Sequence, residues 1–134
     1  MDISEYFFIV STKDSVFHFQ LKGLWTEKVA VQISTQMIAM FKKGVDSMGG
    51  KRFLVLADLS EFQPPSQQAK DTVTQTMKYA KEHNLYKTVE VMPSALARLA
   101  IQQSAQATGQ DDFRVVVSTV EEAWMAINKL KPSL

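Results

Sequence analysis

Asp58 stands near the end of the apolar run Arg52 to Leu59 (RFLVLADL), where a carboxylate needs a partner or backbone N–H donors to offset its desolvation. General acid work would require a base or a second carboxylate within reach. The two histidines, His18 and His83, fall elsewhere in the sequence, and there is no cysteine. A turn-forming aspartate that accepts N–H bonds from the residues after it is the simpler reading. Ser60 follows in the same turn. Ser66 opens the next helical stretch, where a hydroxyl caps the helix and where free N–H groups and the helix dipole also favour a phosphate. Ser94 marks a second strand-to-helix junction, Met92-Pro93-Ser94, and Arg98 four residues later has the reach to hold an anion there or to lie solvated on a helix face. Phe62, beside Pro64-Pro65, is either an exposed anchor for a protein partner or a lid folded onto the core. Asp58, Ser60, Phe62, Ser66, Ser94 and Arg98 therefore form a candidate docking or anion-binding set, with no catalytic residue assigned. No cofactor or metal is expected: Gly49-Gly50 precedes a strand instead of following one, the reverse of a phosphate-binding loop.

The elements that must position these residues alternate in period. Glu5 to Ser11 and Ser15 to Lys22 read as strands joined by the polar Thr12-Lys13-Asp14, an antiparallel hairpin. From Thr26 the apolar residues Val29, Ile33, Met37, Met40, Phe41 and Met48 recur every three or four positions, so Thr26 caps a helix that stops at Gly49-Gly50. Arg52 to Leu59 is a strand covered on both faces, and Ser60 to Pro65 should be a loop because two prolines interrupt it. A second helix from Ser66 carries Ala69, Val73, Met77 and Ala80 and ends near His83-Asn84. Tyr86 to Met92 is a strand, and Leu96 to Ala107 a third helix stopped by Gly109. Phe113 to Val117 is the last strand. The final helix is capped by Ser118 or Thr119 with Glu121 or Glu122 three positions on, and its buried stripe is Val120, Ala123, Trp124, Ile127 and Leu130. The methionines Met37, Met40, Met48 and Met77 read as core, with an adaptable apolar pocket as the alternative. The fold class is α/β: a mixed, mostly parallel sheet with an N-terminal antiparallel hairpin and four helices. In such sheets ligands gather beyond the carboxyl ends of the strands.

Composition narrows the partners. At 134 residues with 46% hydrophobic content the chain reads as one domain, 1–134. Lys+Arg 15 against Asp+Glu 14 leaves a formal charge of +1 with no basic block, which argues against nucleic acid. The acidic start Met-Asp-Ile-Ser-Glu and the lack of any long apolar stretch argue against a leader or an integral membrane segment and for a cytoplasmic setting. Without cysteine, disulfides and thiolate chemistry are excluded.

The order of elements, with Leu56-Ala-Asp-Leu-Ser60 leading by a short loop into a helix, resembles the STAS domain in its SpoIIAA-like, anti-sigma-factor-antagonist branch. Gly23-Leu24-Trp25-Thr26 and Glu122-Ala123-Trp124 resemble recurrent features of that branch. The resemblance covers almost the whole chain. It implies a small, non-enzymatic cytoplasmic regulator without cofactor that docks on an anti-sigma or kinase-like protein, is switched by serine phosphorylation at the helix after the central strand, and can form a homodimer. This chain carries Pro64-Pro65-Ser66-Gln67-Gln68-Ala69 at that junction, so Gln67-Gln68 fall where the branch has its serines. A carrier or sensor of a small apolar or acidic ligand is the alternative function, and an unrecognised enzyme the third.

Overall fold

The computed structural model describes residues 2–63, 66–95, 98, 99, 102, 106 and 113–134. Among them are β1 (Phe7–Ser11), β2 (Val16–Leu24), α1 (Glu27–Asp46), β3 (Phe53–Gln63), α2 (Gln67–Glu82), β4 (Leu85–Val91), β5 (Arg114–Val117) and α3 (Val120–Leu130). The sheet runs β1-β2-β3-β4-β5, antiparallel between β1 and β2 and parallel thereafter. This is the expected mixed α/β architecture. Asp14 and Ser15 turn the hairpin with φ of 58° and 63°, left-handed values that short polar side chains tolerate better than most. The helix expected over Leu96 to Ala107 lies largely outside the described residues; Arg98 N–H does bond to the Ser94 carbonyl at 3.0 Å, one helical turn.

Alternation along the strands divides the core. Phe17, Phe19 and Leu21 of β2 and Phe53, Val55, Ala57 and Leu59 of β3 face α1 and α2 with Ile33, Met37, Phe41, Val73 and Ala80. Val16, Leu54, Leu56, Val89 and Val91 face the other way, where α3 supplies Ala123 and Ile127. α1 is capped by Thr26, which accepts the Val29 N–H, and α2 by Ser66, which accepts the Ala69 N–H. Thr119 accepts the Glu122 N–H and so selects one of the two cap registers expected for α3. The helices α1 and α2 meet through Ser34 and Thr72, buried hydroxyls 2.7 Å apart. Gly44 lies in α1 where the Phe17 ring packs: a Cβ there would fall 2.8 Å from Phe17 Cε2.

Two expectations need correction. Residues 60–63 are strand, since β3 continues to Gln63. Trp124 is 36% exposed, with Val120 at 37%, so the buried face of α3 is narrower than its apolar stripe. Among the described residues α3 is the helix on this face, and it buries Ala123 and Ile127 while Val120 and Trp124 at the margin of the stripe stay partly in solvent.

Candidate functional site

The β3 extension arises from a bulge. Gln20 of β2 pairs with Asp58, whereas Lys22 pairs with Glu61, so β3 carries one residue more than its partner across this stretch. Asp58 stabilises the bulge. Its Oδ1 accepts the Ser60 N–H at 3.0 Å and the Ser60 hydroxyl at 2.6 Å, and its Oδ2 accepts Gln20 Nε2–H at 3.2 Å. The carboxylate is thus satisfied by local donors, as its place at the end of an apolar run demands.

Past the bulge the ladder becomes one-sided. β3 pairs with β4 only as far as Asp58 with Val91, while Glu61, Phe62 and Gln63 continue to pair with Lys22, Gly23 and Leu24 of β2. A two-stranded ribbon therefore projects beyond the sheet. Between this ribbon and the turn after β4 lies a groove of about 720 Å³, walled by Lys22 and Gly23, by Ser60 through Gln63, by Ser94 and by Glu5. Its charged walls are Glu5, Lys22 and Glu61.

Trp25 fixes the base of the ribbon. It is fully buried, its indole Nε1–H donates to the Lys22 carbonyl at 2.9 Å, and its ring meets Phe62 edge-on at 5.7 Å and Tyr6 at 6.5 Å. Its own carbonyl accepts the Ser66 N–H at 3.1 Å, which ties the start of α2 to the segment leading into α1. Gly23 permits the approach of Tyr6: its φ is +78°, and a Cβ there would sit 3.1 Å from the ring. Phe62 is buried, so of its two readings the inward one holds.

The six sequence candidates divide accordingly. Ser60, Phe62 and Ser94 border the groove, with Asp58 beneath them through Ser60. Ser66 is half-buried at the α2 cap. Arg98 belongs to the other side of the β4 end, where its guanidinium donates to the Met92 carbonyl at 2.5 Å and to Ser118 Oγ at 3.1 Å. It joins the second and third strand-end junctions. Sequence reasoning missed Lys22, Glu61, Gln63 and Glu5 as groove walls, and missed Trp25 as their support. One signal was available for the last, since a bulky apolar residue just before an N-cap and a small apolar one four positions after it, Trp25 and Ala30, form a hydrophobic staple.

His18 feels the Asp58 charge. Burial pushes its pKa down, and the Asp58 charge pulls it up by less. The ring lies edge-on to Trp124 at 5.5 Å. Among the described residues, no group of three or more His, Asp or Glu side chains could hold a metal ion, and no described helix is long and apolar enough to cross a membrane.

No family model matches the chain, and no curated protein matches it. The fold is SpoIIAA-like. The Bacillus cell-fate determinant SpoIIAA, in its phosphorylated form, superposes over 90% of this chain and 98% of its own with a TM-score of 0.58 and 14% identity. The NMR structure of TM1081 does so over 92% and 87%, with a TM-score of 0.54 and 14% identity. At that identity the likeness is one of fold.

Proposed function

We propose that the chain acts as a single cytoplasmic regulatory domain that docks a protein partner in the groove beside the β2–β3 ribbon. The observation that carries this reading is the continuation of β3 beyond its last pair with β4, so that among the described residues no strand pairs with the β4-side edge of residues 59–63 along the groove. An extended partner segment gains main-chain hydrogen bonds there, while Lys22 and Glu61 select it by charge. The proposed role asks for no reaction and no cofactor. The likeness to a protein whose structure is known in a phosphorylated form supports a charge switch at this rim. A phosphate on Ser66 would lie at the N-terminus of α2, where it is favoured. On Ser60 it would face the Asp58 carboxylate and loosen the bulge.

A carrier role draws little support from the interior. The cavity between α1, α2 and the sheet, bordered by Met37, Met77, Thr76 and Glu90, has about 40 Å³ of free space. That is too small for a carried ligand, since a benzene-sized one needs roughly 150 Å³.

Capture from native lysate with the wild type and with a Glu61→Arg/Gln63→Arg double variant tests the docking face. Both positions are exposed, so the fold should survive. The reading expects the partner to be lost from the variant and retained by Lys129→Glu on α3. Identical partner sets from all three proteins would sink it.

A further inference from the structure

The chain as a whole carries a formal charge of +1, yet the fold does not spread its charges evenly. Arg52 stands just before β3, Lys81 lies in the last turn of α2, Lys87 comes early in β4 and Phe113 just before β5. These positions are far apart in sequence. The parallel strands bring them together at the amino end of the sheet, opposite to the groove, where they wall a pocket of about 460 Å³ with Tyr86 and the buried Leu85.

Two rings hold the three cations in place. Arg52 Cζ lies 4.2 Å from the centre of the Tyr86 ring and Lys81 Nζ 5.5 Å from that of Phe113, while Lys87 Nζ stands 5.8 Å from the first and 6.0 Å from the second. A ring face attracts a cation without neutralising it, so the gathered charges still repel one another. Among the described residues the pocket walls include no acid, and neither Arg52 nor Lys81 has an ion pair. Cations of one sign set against aromatic and aliphatic walls focus a positive field into the space between them.

We infer that this pocket binds the phosphate group of a small phosphorylated ligand. A phosphate monoester carries close to two negative charges near neutral pH and three acceptor oxygens. The planar fork of Arg52 matches two of those oxygens, and the lysines serve as point charges. A carboxylate, with one charge and two oxygens, would leave most of the cluster's repulsion in place. The volume falls in the range of small-molecule sites, roughly 300–1,000 Å³, and the rings with Leu85 offer apolar surface to the rest of the ligand. This end of the sheet is the reverse of the one to which open α/β sheets direct their ligands, and the pocket shares no wall with the docking groove.

Amide NMR of the full chain, titrated with sodium pyrophosphate in a phosphate-free buffer, tests the site; ionic strength is held constant with sodium chloride so that screening does not change. The amides of Arg52, Leu85, Tyr86, Lys87 and Phe113 should shift saturably, with a dissociation constant of about 1 mM or tighter. Arg52→Gln and Lys81→Gln, both at exposed positions, should each raise that constant at least about fivefold without altering the circular dichroism spectrum. Lys28→Gln at the start of α1, beyond the opposite end of the sheet, should leave it unchanged. Flotation with phosphatidylcholine vesicles containing about one-fifth phosphatidic acid separates the two sources of such a group. Flotation that an Arg52→Gln/Lys81→Gln double variant loses supports the site with a lipid headgroup as its ligand, and pyrophosphate binding without flotation supports it with a free phosphate ester. No saturation up to about 10 mM pyrophosphate, or a constant indifferent to both glutamine substitutions, would overturn the inference.

Discussion

The two tryptophans sit on opposite faces of one sheet and meet different fates. Trp25 is fully buried with its N–H satisfied, between Tyr6, Phe62 and the start of α2, whereas Trp124 stands 36% exposed over His18. Residue type does not distinguish them; coverage does. Two helices close over the first face, and aromatic side chains there interlock, Phe17 with Phe19 and Phe41 at ring distances of 5.2 Å each. On the second face the described cover is α3, which buries only Ala123 and Ile127.

The comparison is sharpest if both rings are removed in turn. Trp25→Ala should cost about 3–5 kcal/mol in urea denaturation, and Trp124→Ala about 2 kcal/mol, because about a third of its surface is already in water. Equal losses would break the contrast. Arg114→Met should cost about 3 kcal/mol near neutral pH, since it strips the 2%-exposed Glu90 of its cation. Gly44→Ala should lose about 1–3 kcal/mol by forcing the Phe17 ring aside, although alanine is the better helix former. Thr26→Ala and Thr119→Ala should each cost about 1 kcal/mol as lost caps.

The smallest effects lie in pH dependence, where the two faces carry opposite signs. Burial raises the Glu90 pKa above its ordinary 4.5, against the opposing pull of Arg114. The folded state therefore holds that proton more tightly than the unfolded one, and its contribution fades as pH rises from 4.5 through the raised value. Burial lowers the His18 pKa below 6.5, with Asp58 opposing. There the unfolded chain takes the proton first, so stability falls as pH drops below 6.5 toward the lowered value. Glu90→Gln should flatten the first trend and His18→Asn the second, measured as stability from pH 4 to 8.

Where one rule governed a segment, the sequence was legible. The caps at Thr26 and Ser66, the stripe of Ile33, Met37 and Phe41, and the continuous run of β3 each follow from a period or a hydrogen-bonding need. The groove was not. Leu59 and Phe62 both face the first core, but the bulge inserts two exposed residues, Ser60 and Glu61, between them, and an interrupted alternation beside two prolines looks like a loop. Glu90 was hidden for a related reason: in Tyr86 to Met92 a single carboxylate reads as a solvent-facing position, and only the neighbouring strand supplies the arginine that lets it lie inside. Trp124 was misplaced because helix periodicity reports an apolar stripe without saying how wide a surface awaits it.

The unequal shelter of the two indoles also gives the chain a pair of optical reporters. Dissolved iodide should dim the redder emission of Trp124 and leave the bluer light of Trp25 intact, so a phenylalanine replacement at position 124 would isolate a probe rooted beneath the ribbon, able to signal when something settles alongside it.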